Sequence, residues 1–168
     1  MSATLLAAVA ALLPLADPQP PKTGTIDNKS KPAADTARKP NPLAPSLPEL
    51  SEDEEKKTDA VIDRFIDADT GKLTGPEAKK AIQDFHKLGP EATFALIRGL
   101  NKAAAIDYSC PAVTIARKLG TTLRSTTDTQ LLEYARENIG AGVTRSRHMA
   151  VIKDLKVACT VRKGQLER

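Results

Sequence analysis

Three carboxylates in the stretch DADTGKLTGPE have the residue types, and part of the spacing, of a calcium-binding loop. An EF-hand loop places oxygen ligands at positions 1, 3 and 5, glycine at position 6 and glutamate at position 12. Asp67 and Asp69 fit positions 1 and 3, but Gly71 and Glu77 fit theirs only if one residue, the ligand at position 5, is deleted. The sequence therefore favours a turn in which Asp69 and Gly71 end one helix and Thr74 caps the next. Weak calcium binding by Asp67, Asp69 and Glu77 is the alternative.

The two cysteines, Cys110 and Cys159, are a second candidate site. In an exported protein this pair could form a disulfide. It could equally remain as two buried thiols that pack as small apolar side chains, and the sequence leaves both interpretations open. The two histidines, His86 and His148, are isolated in the sequence, so we expect neither to bind a metal ion nor to act as a general base.

The segment from Gly140 to the end is basic, with seven Lys or Arg residues against two acidic ones. Its cations Arg145, Arg147, Lys153 and Lys156 form a candidate interaction surface for a protein partner. The alternative is a solvated helix face. Nucleic acid is not an expected partner, because the segment has no aromatic residues for base stacking.

The rest of the composition points to a helical protein without a familiar active site. The chain has 168 residues, 3% aromatic residues and no tryptophan, so its core must consist mainly of Ala, Leu, Ile and Val. Such a core suits helices better than aromatic-rich strands. No nucleophile elbow, phosphate loop or dinucleotide fingerprint occurs, so we expect neither an enzyme nor a bound cofactor.

The N-terminal third indicates export followed by a tether. The uncharged apolar run Leu5–Leu13 is too short to cross a bilayer and ends in small residues, which is typical of a signal peptide over residues 1–16. Residues 17–50 contain eight prolines among 34 positions and few large apolar side chains. Such a composition predicts a disordered, partly polyproline II linker.

Residues 51–168 have the apolar spacing of helices, with repeats of three and four. We predict an all-α antiparallel bundle of six helices, each pair joined by a short connection. Pro76, Pro90 and Pro111 mark helix starts. The apolar face of the sixth helix is predicted to contain Ile152, Leu155, Val157, Ala158 and Val161. The predicted connections are 69–72, 88–89, 104–108, 125–128 and 140–146.

The string LGPEATFALIRGL, residues 88–100, resembles the start of a HEAT-type repeat unit. This resemblance implies a short HEAT-like helical domain built from helix pairs. The longer strings LGPEATFALIRGLNKAAAIDYSCPAVTIARKL, residues 88–119, and LLEYARENIGAG, residues 131–142, are also similar to uncharacterised exported proteins of planctomycete bacteria. This similarity covers most of residues 60–163. That similarity implies an exported helical domain and adds no activity.

Together these features predict a non-enzymatic protein-interaction or structural module that is secreted or periplasmic. We expect the mature chain to lack a transmembrane span and to contact its partner through the basic sixth helix. A weak calcium-responsive module is the alternative.

Overall fold

A computed structural model describes residues 38–106, 111–144 and 146–168. The prediction of an all-α fold with six helices is confirmed. The helices are α1 (Glu52–Asp69), α2 (Gly75–Lys87), α3 (Thr93–Ala104), α4 (Pro111–Ser125), α5 (Thr129–Asn138) and α6 (Met149–Leu166), and a 3-10 turn (Pro90–Ala92) precedes α3. Two short antiparallel strands, β1 (Pro40–Asn41) and β2 (Ala44–Pro48), precede the helices.

Local chemistry fixes where these helices begin. Ser51 and Glu54 form a capping box at the start of α1, since each side chain accepts a hydrogen bond from the backbone N–H of the other residue. The backbone N–H and the hydroxyl of Ser51 both donate to the Glu54 carboxylate and lower the pKa of that carboxyl. Pro76, Pro90 and Pro111 each lie in the first turn of a helix, where a missing N–H costs no hydrogen bond.

The helices pack in two rows of three. In the first row, α1 contacts α3, and α3 contacts α5 through the edge-to-face pair Phe94–Tyr134. In the second row, the ammonium of Lys118 on α4 donates to the backbone carbonyl oxygen of His86 on α2, and α6 packs on α4. Consecutive helices α1–α2, α3–α4 and α5–α6 also pack against each other and thereby join the rows.

Polar contacts join neighbouring helices of the first row at sequence separations of 37 and 39 residues. The guanidinium of Arg98 donates to both carboxylate oxygens of Asp59, at 3.1 and 3.0 Å, and Lys102 contacts Asp63 at 2.7 Å. Asn101 accepts from the backbone N–H of Gly140 at 2.6 Å. Each of these three pairs is separated by 39 residues. The first two join α1 to α3 and the third joins α3 to the end of α5.

The core contains most of the apolar positions that the helical spacing predicts, but α6 is an exception. Ile152, Leu155 and Cys159 are buried, whereas Val157 and Val161 are 52% and 54% exposed. The prediction that Val157 and Val161 face the core is therefore wrong. The reason is that α6 has apolar residues on two sides, and only one of these sides contacts α4 and α5.

The predicted linker extends too far along the chain. Residues 40–48 form the β1–β2 hairpin, and Ala44 and Leu47 are buried in the core. The hairpin is held to α5 by Ser46, whose backbone N–H donates to the Asp128 carboxylate at 2.9 Å. Prolines are compatible with such a short two-stranded edge, because few of its N–H groups need a strand partner. The predicted signal peptide and residues 17–37 of the linker lie outside the described residues.

Candidate interaction surface

The loop from Asp67 to Glu77 forms a turn. Gly71 has a φ of +78°, which favours glycine, and the backbone N–H of Leu73 donates to the Asp67 carbonyl oxygen at 3.0 Å. Thr74 occupies the N-cap position of α2, but its side chain makes no capping hydrogen bond, so this detail of the prediction is wrong. The helix instead begins with Gly75 at a φ of +64° and Pro76.

The predicted calcium ligands do not form a metal site in this turn. The Asp67 carboxylate contacts the Lys72 ammonium at 3.6 Å. Within the described part of the chain, which includes Asp67, Asp69 and Glu77, no three His, Cys, Asp or Glu side chains lie close enough to hold a metal ion. The geometry therefore provides no observation that favours the calcium-responsive alternative.

Cys159 is fully buried between α5 and α6, and its thiol forms no disulfide with a described residue. Burial raises its pKa to about 11, so the thiol stays protonated at neutral pH. Ion pairs of Glu133 with Lys163 at 2.6 Å and with Arg136 at 3.4 Å border a shallow pocket of about 240 Å³ beside it. Cys110 lies outside the described residues, so a disulfide with Cys159 and two separate buried thiols both stay as alternative predictions.

The two histidines differ in their surroundings. His86 is exposed near the end of α2, whereas His148 is only 5% exposed and precedes α6. The Nε2 atom of His148 has no hydrogen-bond partner in the described residues. We did not predict this burial from the sequence, in which His148 follows the cationic stretch Arg145–Arg147.

The cations of the predicted surface are distributed over different parts of the α6 region. Lys153 is exposed on the side of α6 that faces away from α4 and α5, and Lys156 is half-buried. Arg147 is exposed and has an interaction partner of its own. Arg145 lies outside the described residues. Of the four predicted residues, Lys153 is therefore the one that the structure places on an open helix face without a partner among the described residues.

The neighbouring helix α4 adds cations that sequence reasoning missed. Helix α4 contains three Lys or Arg residues and α6 contains four, while Asp154 is the only acidic residue in the two helices. Arg117 and Arg124 are exposed, and their side chains make no hydrogen bond or ion pair with any described residue. By contrast, Arg98 and Lys102 on α3 are paired with carboxylates of α1. Arg117, Arg124 and Lys153 are therefore available to a partner, whereas Lys118, Arg162 and Lys163 contact other groups of the domain.

A groove runs between these two helices. It has a volume of about 220 Å³ and will be called the α4–α6 groove; its lining residues are Val113, Ala116, Arg117, Arg124, Val151, Asp154 and Leu155. Beside it, the exposed residues Ala150, Lys153, Asp154, Val157 and Val161 share one side of α6, here named the outer α6 strip. Arg162 holds α6 against the end of α4 by donating to the Thr126 carbonyl oxygen at 3.0 Å.

The combination of apolar and cationic groups defines a candidate protein-interaction surface on a helical domain. Within the described residues, no helix is both long and apolar enough to span a membrane. Comparison with protein families, curated proteins and solved structures gives no match to this chain.

Proposed function

We propose that this protein is a non-enzymatic protein-interaction module of the secreted or periplasmic compartment. The proposal rests on Arg117 and Arg124 of α4 and Lys153 of α6, which have no partner among the described residues. These cations lie near Val157 and Val161 of α6, which are exposed. Exposed apolar side chains rimmed by polar groups are typical of surfaces that bind other proteins. The cations would steer an acidic partner toward this surface and orient it there.

The arrangement of the helices supports a HEAT-like module of three helix pairs. Contacts within the first row recur at a separation of 39 residues, which is close to the length of a HEAT-type unit. Stacked helix pairs offer extended surfaces built from equivalent helices, and such surfaces commonly bind proteins. In this interpretation α2, α4 and α6 are the equivalent second helices of the three units.

The test is a crosslinked pull-down of tagged protein from its native host, with captured proteins identified by mass spectrometry. We expect a reproducible partner from the cell envelope that is lost when Lys153 and Lys156 are both changed to Gln. The matched control is Lys79→Gln with Lys80→Gln, which removes the same charge from exposed positions on α2. Equal recovery of the partner by both variants would reject the role of α6, and recovery of the bait alone would reject the proposed function.

The compartment is tested separately by sequencing the N-terminus of the mature protein. Export predicts that the chain recovered from the native host begins close to Ala16, after removal of the apolar run. Recovery of a chain that retains this run, in the cytoplasmic fraction, would reject the secreted or periplasmic location.

A further inference from the structure

Helix α6 has apolar side chains on two opposite sides. On one side, Ile152, Leu155 and Cys159 are buried against α4 and α5. On the other side, Val157 and Val161 are one helical turn apart and more than half exposed. A helix that is apolar on both sides is typical of the interior of a helical array. The outer α6 strip therefore has the composition of a contact surface that no described residue covers.

The charges around the strip decide what kind of molecule could cover it. Arg117 and Arg124 line the adjacent α4–α6 groove, and Lys153 belongs to the strip itself. Asp154 is the only acidic residue of the two helices. A second copy of the chain that met this surface with its own α6 would bring cations against cations, which disfavours association. A partner with carboxylates would instead be attracted.

We propose that the outer α6 strip and the α4–α6 groove together bind an acidic amphipathic helix of a partner protein. Apolar residues spaced by three and four on that helix pack against Val157 and Val161. Its carboxylates face Arg117, Arg124 and Lys153. This is recognition of a helix along a helical groove, in which apolar anchors supply affinity and charges supply orientation. The inference deepens the proposed function and rests on it.

The probe is a synthetic fluorescent peptide of 18 residues, the length of α6, with a leucine stripe at helical spacing and glutamate elsewhere. Two control peptides keep its length: one replaces every glutamate by lysine, and the other keeps the composition but disrupts the stripe. Binding to the full chain is measured by fluorescence anisotropy at low and high salt. We expect only the acidic, striped peptide to bind, with an affinity that falls as salt rises.

Variants of the protein locate the binding site. Val157→Asp should weaken binding at least about tenfold, because it removes an apolar anchor and adds a repelling charge. The matched control is Leu43→Asp on the hairpin turn, since Leu43 is 53% exposed and Val157 is 52% exposed. It should leave binding unchanged. Arg117→Gln with Arg124→Gln should weaken binding and reduce its salt dependence, whereas Asp154→Asn should strengthen binding about threefold.

Several results would overturn the inference. One is equal binding of the lysine peptide, and another is equal loss of binding in the Val157→Asp and Leu43→Asp variants. Self-association of the chain that Val157→Asp abolishes would assign the strip to a second copy. Binding to anionic vesicles with no binding to the peptide would assign it to a membrane. Circular dichroism confirms that each variant is folded, and Val161→Asp replaces Val157→Asp if that variant is not.

The pull-down separates failure of this inference from failure of the proposed function. Suppose that the variant with Lys153→Gln and Lys156→Gln loses a captured partner but the Val157→Asp variant retains it. This result would overturn the inference and leave the proposed function standing. If neither a partner nor the peptide is bound, both fail.

Discussion

Asp128 joins the hairpin to the start of α5, and its replacement tests how these two elements are held together. One carboxylate oxygen accepts from the backbone N–H groups of Gln130 at 2.9 Å and Leu131 at 3.0 Å. The other accepts from the backbone N–H of Ser46 at 2.9 Å, across 82 residues of sequence. A single side chain thus caps a helix and fixes the segment that was expected to be a flexible linker.

The cost of Asp128→Ala can be worked out from these hydrogen bonds. Loss of an N-cap side chain costs about 1 kcal/mol. Loss of the hydrogen bond to Ser46 adds about 1 kcal/mol, which is below the roughly 1.5–3 kcal/mol typical of bonds to charged groups because water can still reach the freed N–H. The free energy of unfolding should fall by about 2 kcal/mol, which lowers Tm by roughly 8 °C in a domain of this size.

Asp128→Asn separates the two contributions. Asparagine is a good N-cap, so its oxygen keeps the bonds to α5, but its amide nitrogen cannot accept from the Ser46 N–H. We expect a loss of about 1 kcal/mol, half that of Asp128→Ala. Urea denaturation followed by circular dichroism measures these values. Ser46→Ala keeps the backbone donor but removes the Ser46 hydroxyl, which also lowers the pKa of Asp128, so it should cost less than Asp128→Asn, about 0.5 kcal/mol.

The same bonds give a pH dependence. Partial burial acts to raise the pKa of Asp128, but the hydrogen bonds from Ser46 and α5 outweigh burial, so the pKa lies below its ordinary value of 3.8. A lowered folded-state pKa contributes stability above the unfolded-state value, and this contribution is lost as the pH falls through the folded-state pKa. The difference between wild type and Asp128→Asn should therefore be constant above about pH 5 and shrink below pH 4.

Two results would refute this reasoning. If Asp128→Ala costs no more than Ser46→Ala, the hairpin is not held by the carboxylate. If the difference between wild type and Asp128→Asn stays the same down to pH 2, the ionised carboxylate is not the group that matters. Glu54 and Glu133 also have lowered pKa values, so the comparison with Asp128→Asn is needed to isolate this residue from the general acid sensitivity.

Three further predictions concern the core, the thiol and the turn. Gly99→Ala should lower the free energy of unfolding by about 1–3 kcal/mol in urea denaturation, because the added Cβ would clash with Ile62. Gly164→Ala should raise it by about 0.5–1 kcal/mol, because the space around Gly164 is open. In a variant without the other cysteine, Cys159 should resist thiol reagents at pH 8 until the protein is unfolded, and rapid labelling of the native protein would contradict its burial. Millimolar calcium should leave Tm unchanged, since residues 67–77 form a turn; a rise abolished by Asp67→Ala would revive the calcium site.

The candidate surface could be predicted only in part. Lys153 was identified from sequence because it lies in a basic segment. Arg117 and Arg124 were not, because they are more than 25 residues away in the chain and come beside α6 only when α4 packs against it. The loop at 67–77 was interpreted correctly as a turn from local evidence alone, since the spacing lacked one ligand and glycine favoured a positive φ.

The sequence by itself determined the number of helices and where they break. Those features depend on interactions within a few residues: proline in a first turn, the Ser51 capping box and apolar spacing of three and four. Only the tertiary structure decided which side of α6 is buried and that Ala44 and Leu47 join the core. Helix α6 is apolar on two sides, so its own periodicity selects no single inner face, and contact with α4 and α5 makes the selection. The hairpin, likewise, becomes ordered through contacts such as the one from Ser46 to Asp128, which no local pattern in a proline-rich segment can reveal.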